Sequence, residues 1–269
     1  MSHREHPERV TLAGSTVLAV FAHPDDEALA CGGTLARLAG AGAHVVIVCA
    51  SKGELGSVSN PAFVPGGDIG AARVGELAAA ARVLGVAEVV QLEHPDGTLR
   101  WADALDQEIA EELARFRPDA VITFDSDGLY WHPDHIGIHD RVTRAVAQIG
   151  GSAPALYYVG MAPGTMRAVV DAAHARGGAR DGGGLWGISP DAFGVSTPPP
   201  TFRVDVRDWI DRKLAAIRCH RTQVGAGSPF LWIDEEDAKR LLGQELFRRA
   251  EVGADAPDVL EPLAEKVGA

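Results

Sequence analysis

Residues 17–22 form an unbroken apolar run that leads directly into His23, Pro24, Asp25, Asp26 and Glu27. A short run of this kind is a buried strand, so a histidine and three consecutive acids are delivered to the rim of a core. The three carboxyl groups cannot all stay ionised at a water-poor strand end without a compensating positive charge, because proximity and desolvation each penalise the charged form. A divalent cation supplies that charge. His23 and Asp26, three apart in a strand-to-helix turn, can both face it, leaving Asp25 to point elsewhere. Alternatively, Asp25 and Asp26 cap the next helix, where acids favour exposed N–H groups and the macrodipole. On this cluster alone neither role prevails.

The same strand-then-helix pattern recurs downstream. Residues 16–21, 45–49, 88–92, 120–124 and 156–159 are short Val- and Ile-rich runs expected to be strands buried on both faces, and residues 32–41, 69–84, 102–116 and 136–149 have helical patterning. That order predicts an α/β fold: a doubly wound, mostly parallel, Rossmann-like sheet sandwiched by helices, with right-handed crossovers. Ligands bind outside the carboxyl ends of such strands.

The remainder is less regular. Glycines over residues 177–187 and the run Thr197-Pro198-Pro199-Pro200 flank an expected loop or small lobe. Residues 201–206 read as a later strand, 208–220 and 234–249 as two closing helices, and 251–269 as a loosely held tail. The expected organisation is one catalytic domain over residues 1–269, with an α/β core over about 12–160 and a C-terminal elaboration over 161–269.

A net charge of −12 on 269 residues, with no basic run, argues against nucleic acid or an anionic membrane as partner. The only early apolar stretch, residues 16–22, is too short to span a bilayer and has no cleavage pattern, so a cytoplasmic protein is expected. Cys31, Cys49 and Cys219 include no C-x-x-C pair and read as small buried thiols in a reducing compartment.

The second acidic-histidine cluster, His132-Pro133-Asp134-His135, follows the strand at residues 120–124 closely enough to reach the same rim. It offers a third ligand. Two histidines and one carboxylate leave an open zinc position for water, the arrangement of a catalytic rather than a structural site. Hydrolysis follows from that. A nucleotide-binding module is disfavoured because the first turn lacks G-x-G-x-x-G and no G-x-x-x-x-G-K-[ST] occurs, and a serine hydrolase because there is no G-x-S-x-G elbow.

Ala22-His23-Pro24-Asp25-Asp26-Glu27 followed by His132-Pro133-Asp134-His135 resembles the paired signatures of the PIG-L/LmbE-like zinc-dependent N-acetylglucosaminyl deacetylases. Further similarity covers residues 51–56, 73–85, 93–97 and 213–223, including Cys219-His220-Arg221-Thr222-Gln223, and is weakest over residues 162–198. The resemblance implies zinc ligation by His23, Asp26 and His135, with Asp25 as general base. It implies His132 as the group that steadies the tetrahedral intermediate, protonated when it does so. Asp134 would orient His132, and Tyr130 would assist at the oxyanion, although Tyr130-Trp131 could equally be packing. Arg73, Lys52, Glu54 and Asp96 would contact the substrate sugar, against the plainer readings of Arg73 as a solvated charge and Asp96-Gly97 as a turn. His220 reads as structural. The implied partner is a small amino-sugar conjugate, with a larger amide conjugate or an antibiotic sugar as alternatives. Zn2+ is the expected cofactor, although Fe2+ accepts similar ligands. Homo-oligomerisation is left open.

Overall fold

The computed structural model describes residues 11–178 and 185–266. The apolar runs become strands β1 Thr16–Phe21, β2 His44–Ser51, β3 Glu88–His94, β4 Ala120–Phe124 and β5 Ala155–Gly160; the later chain adds β6 Phe202–Asp205, β7 Gln244–Arg249 and β8 Ala264–Lys266. All eight lie in one sheet, ordered β3-β2-β1-β4-β5-β7-β6-β8. Pairing is parallel from β3 through β5 and antiparallel from β5 through β8. The helices are α1 Asp26–Gly40, α2 Ile69–Leu84, α3 Ala104–Phe116, the single turn α4 Gly128–Trp131, α5 Pro133–Ile149, α6 Thr165–Ala175, α7 Ile210–Cys219 and α8 Glu235–Leu242. Helices α1, α2 and α7 pack together, as do α3 and α5, so the sheet is sandwiched as expected.

Strand β1 lies between β2 and β4, where the winding of the chain reverses. The crevice of a doubly wound sheet opens at the carboxyl ends of two such strands. Residues 22–26 leave β1 there, and residues 125–135 leave β4 there. The expected convergence of the two clusters is therefore a consequence of topology.

Two expectations for the later chain are corrected. Helix α8 stops at Leu242, and residues 244–249 form a strand instead of continuing it. Their composition is compatible with helix, but β7 pairs on both sides, with β5 and β6, and Phe247 is buried between them. The tail is not loosely held: β8 pairs with β6, Val259, Leu260 and Leu263 are buried, and Val259 N donates to the Tyr157 hydroxyl at 3.1 Å. The expected loop follows helix α6: residues 185–200 are irregular apart from one turn at Pro190–Ala192, and residues 179–184 lie outside the described residues. Helix α1 also starts earlier than its patterning indicates, with a non-helical break at Cys31 (φ −146°). Its glycines are contact points: a Cβ on Gly33 would sit 2.6 Å from Val206, and one on Gly40 only 2.0 Å from Trp209.

Glu245 on β7 clamps α1 to the sheet. Its carboxylate accepts from Gly33 N (2.9 Å), Thr34 N (2.7 Å) and Lys213 Nζ (2.6 Å), with both charged side chains almost fully buried. Removing one partner of such a pair leaves the other charge buried and uncompensated. Glu245→Ala is expected to lower unfolding free energy by about 3–5 kcal/mol, read from the urea midpoint; a loss below about 1 kcal/mol would show that Lys213 finds another partner.

Candidate active site

The turn after β1 places its acids in an unusual backbone. Asp25 occupies the N-cap position of α1 at φ 116°, a conformation costing a non-glycine residue about 1–3 kcal/mol, and its side chain makes no capping hydrogen bond. Asp26 does not cap either: its Oδ2 accepts from His23 N at 2.8 Å. Helix capping is therefore not the reason for the acidic run.

What the turn assembles is a set of convergent lone pairs. His23 Nε2 lies 3.0 Å from Asp96 Oδ1 and 3.3 Å from Asp134 Oδ2, acceptors that require this nitrogen to carry hydrogen. His135 Nδ1 faces the Gly128 carbonyl at 3.1 Å, which likewise fixes its hydrogen there. The neutral rings therefore point bare nitrogens at each other, His23 Nδ1 and His135 Nε2, 3.3 Å apart. Asp26 closes the triangle, with Oδ1 3.1 Å from His135 Nε2 and Oδ2 3.4 Å from His23 Nδ1. Ligand atoms on a tetrahedral zinc, with bonds of about 2.0–2.1 Å, stand about 3.3–3.4 Å apart. The donor set, its spacing and the partners of both outer nitrogens all fit a divalent cation. Burial alone would lower the His23 pKa, but Asp134, Asp26 and Asp96 outweigh it and hold it well above its ordinary value. The cluster demands positive charge, as a proton or as a metal ion.

Asp25 sits beside this triangle. Its Oδ2 accepts from Arg73 Nη2 at 3.1 Å, and its N–H donates to Glu27 Oε2 at 3.0 Å. Burial raises its carboxyl to about 6; Arg73 opposes that shift and Asp26 adds to it. Glu27 Oε1 in turn meets His220 Nε2 at 2.8 Å, with both residues buried.

The loop after β4 is held in strain. Gly128, Leu129 and Trp131 all have positive φ, and Asp127 fastens the loop by accepting from Leu129 N at 3.2 Å and Thr197 Oγ1 at 2.6 Å. Tyr130 and His132 line the resulting pocket with His23, Asp25, Asp26, Arg73 and Asp96; its volume is about 420 Å³. Burial first, then positive charge gathered at the neighbouring histidine pair, depresses the His132 pKa to about 4. Its Nδ1 accepts from Asp134 N at 3.2 Å, leaving Nε2 as the hydrogen-bearing atom. In this arrangement His132 offers Nε2–H to the pocket as a donor. Tyr130 also keeps its proton, because burial pushes its hydroxyl pKa up; its ring packs 4.7 Å from Phe193, so it both packs and lines the pocket.

Several expected roles change. The Asp134 carboxylate does not orient His132: it accepts from Gly97 N (2.7 Å), Leu99 N (3.0 Å) and His23 Nε2 (3.3 Å). Asp134 therefore steadies His23. Arg73 is no solvated charge, since it is buried and also donates to Gly53 O and Pro24 O, each at 2.6 Å. Lys52 pairs with Glu93 at 2.7 Å, and Glu54 accepts from Asp96 N at 2.9 Å; neither lines the pocket. Leu55, Trp186, Ile188 and Gln223 line it instead. Gln223 ends the Cys219-His220-Arg221-Thr222-Gln223 run, but nothing in the sequence marks Trp186. A second cavity of about 350 Å³ shares Ser57, Trp186 and Gln223 with the first, and none of the described residues that line it is ionisable.

The family model described as PIG-L, GlcNAc-PI de-N-acetylase, matches residues 18–146. A 1D-myo-inositol 2-acetamido-2-deoxy-alpha-D-glucopyranoside deacetylase of Saccharomonospora viridis is 33% identical over 270 residues, covering 89% of this chain and 97% of the relative. The chain belongs to the PIG-L family. Among solved structures, the N,N'-diacetylchitobiose deacetylase of Pyrococcus horikoshii superimposes with TM-score 0.65 at 23% identity, covering 89% of this chain and 84% of its own. The 4-carboxy-2-hydroxymuconate hydratase GalB of Pseudomonas putida KT2440 has TM-score 0.61 at 22% identity, covering 92% and 98%. The fold alone therefore does not specify the reaction.

If Asp134 orients His23, Asp134→Ala should weaken Zn2+ binding by about 10–100-fold, while His132→Ala leaves it within about twofold. Calorimetric titration of metal-stripped protein measures both. Unchanged affinity in Asp134→Ala would contradict the assignment.

Proposed function

We propose that this chain is a zinc-dependent hydrolase that removes the N-acetyl group from an N-acetylglucosaminyl conjugate, with His23, Asp26 and His135 as the metal ligands. The observation that carries the reading is the convergence of His23 Nδ1 and His135 Nε2, 3.3 Å apart, with the two Asp26 oxygens, one 3.1 Å from His135 and the other 3.4 Å from His23, beside the buried carboxyl of Asp25. A divalent cation held there would polarise an amide carbonyl and lower the pKa of a bound water to about 7.

The chain's own residues supply the rest. Asp25, raised to about 6 by burial, is suited to taking a proton from the attacking water near neutral pH and returning it to the leaving amine. Arg73 holds one oxygen of Asp25, which leaves the other to face the reaction. The neutral His132 Nε2–H and the Tyr130 hydroxyl are the two donors for the developing oxyanion, where one donor is typically worth about 10²–10³ in rate. Asp96 and Arg73, with Ser57 and Gln223, are polar residues on the pocket wall for sugar hydroxyls.

The adjoining cavity supports a conjugate rather than a free sugar. With serines, glycines and Gln223 around Trp186 and no ionisable side chain among the described residues, its wall suits a neutral, hydroxyl-bearing second ring that stacks on the indole. The Saccharomonospora viridis deacetylase acts on such a compound by its name. Trp186→Ala should lower kcat/KM for a cyclitol N-acetylglucosaminide at least about fivefold more than for free N-acetylglucosamine, and equal losses would remove this placement.

No helix of the described residues is long and apolar enough to cross a membrane. Cys31, Cys49 and Cys219 are free thiols, which accords with a single catalytic domain working in a reducing cytoplasm. Asp25→Asn should retain one equivalent of zinc and lose about 10²–10⁴-fold in acetate release; wild-type turnover in that variant would remove Asp25 from the chemistry.

A further inference from the structure

His220 and Glu27 are buried, face each other and take no direct part in the proposed reaction. Glu27 Oε1 takes the hydrogen bond with His220 Nε2 at 2.8 Å, while Glu27 Oε2 accepts the main-chain N–H of Asp25 at 3.0 Å. That N–H belongs to the residue held at φ 116°. The other grips on the same residue are Leu29 N on its carbonyl at 3.1 Å and Arg73 on its side chain and on Pro24 O. His220 follows α7, which packs on α1 and α2, and neighbouring Thr222 is fastened to α2 by Glu76 through its N–H (2.8 Å) and hydroxyl (2.7 Å). A rigid element 193 residues away in sequence therefore fixes the Glu27 carboxylate.

We propose that Glu27 and His220 are positioning residues: His220 locks the Glu27 carboxylate so that it holds the Asp25 backbone in its left-handed conformation and aims the Asp25 side chain. The proposal rests on Asp25 as the base. Without Glu27 the Asp25 N–H loses its acceptor, and the turn relaxes towards backbone angles that direct the carboxylate away from the pocket. The charge of Glu27 is not what matters. A glutamine keeps one oxygen for Asp25 N–H and offers its amide hydrogens to His220, whose tautomer can change freely because its Nδ1 has no partner.

The test is acetate release from N-acetylglucosamine by zinc-loaded protein, with metal content and thermal unfolding measured in parallel. Glu27→Met is expected to lower kcat about 30–100-fold, keep KM within twofold and retain one equivalent of zinc. Glu27→Gln should stay within about threefold of wild type. In an Asp25→Asn background, Glu27→Met should cost less than about twofold more, since a residue acting only through Asp25 has nothing left to position. If Glu27→Met does not fold, His220→Leu is measured against His220→Gln with the same expectations. A Glu27→Gln loss as large as that of Glu27→Met, or full additivity with Asp25→Asn, would overturn the proposal. If Asp25→Asn itself retains wild-type activity, the assignment of the base fails first, and the positioning role with it.

Discussion

Two histidine nitrogens and a carboxylate, brought within 3.1–3.4 Å with their lone pairs facing inward, are the constraint around which this molecule is organised. The repulsion is relieved only by positive charge at the centre, and the surroundings prevent the rings from turning to escape it. Asp134 and Asp96 hold the far nitrogen of His23, the Gly128 carbonyl holds that of His135, and the Phe124 ring stacks on His135 at 4.0 Å. Asp134 is itself fixed by two backbone N–H groups. The geometry is held ready for an ion.

The fold supplies that arrangement at little cost in special structure. Reversal of the winding at β1 and β4 leaves a crevice between two adjacent strand ends, so residues 112 apart in the chain meet at hydrogen-bond distance. Both segments that emerge there carry backbone strain, at Asp25 and at Leu129 and Trp131. Two residues of the later chain tie it to the core: Glu245, which accepts from Gly33 N and Thr34 N, and Arg248, which pairs with Asp125 at 2.6 Å.

The sheet core was legible because buried parallel strands are continuous apolar runs; β1 and β4 fall at the expected residues and α2 matches its patterning. The proposed ligands were legible because acids and histidines gathered at buried strand ends need a compensating charge, and Asp25 and Asp26 turn out to cap nothing. What the sequence hid depends on long-range partners. Residues 244–249 read as helix because only pairing with β5 and β6 makes them a strand, and Asp134 meets its neighbour His132 through its main-chain N–H while its carboxylate goes to His23, a proximity that exists only in three dimensions. Lys52 and Glu54 lie in the expected loops, but they turn to Glu93 and to the Asp96 backbone, away from the pocket. Trp186 sits in the segment where the resemblance is weakest, and no local pattern marks a pocket wall.

The most direct test is a zinc titration of metal-stripped protein, read simultaneously as bound metal and as acetate released from a cyclitol N-acetylglucosaminide. Release that is absent without metal and saturates at one equivalent, with both signals lost together in His135→Ala, is the predicted result. Full release from metal-free protein, or a His135→Ala variant that still binds one equivalent and turns over, would contradict the three-ligand site.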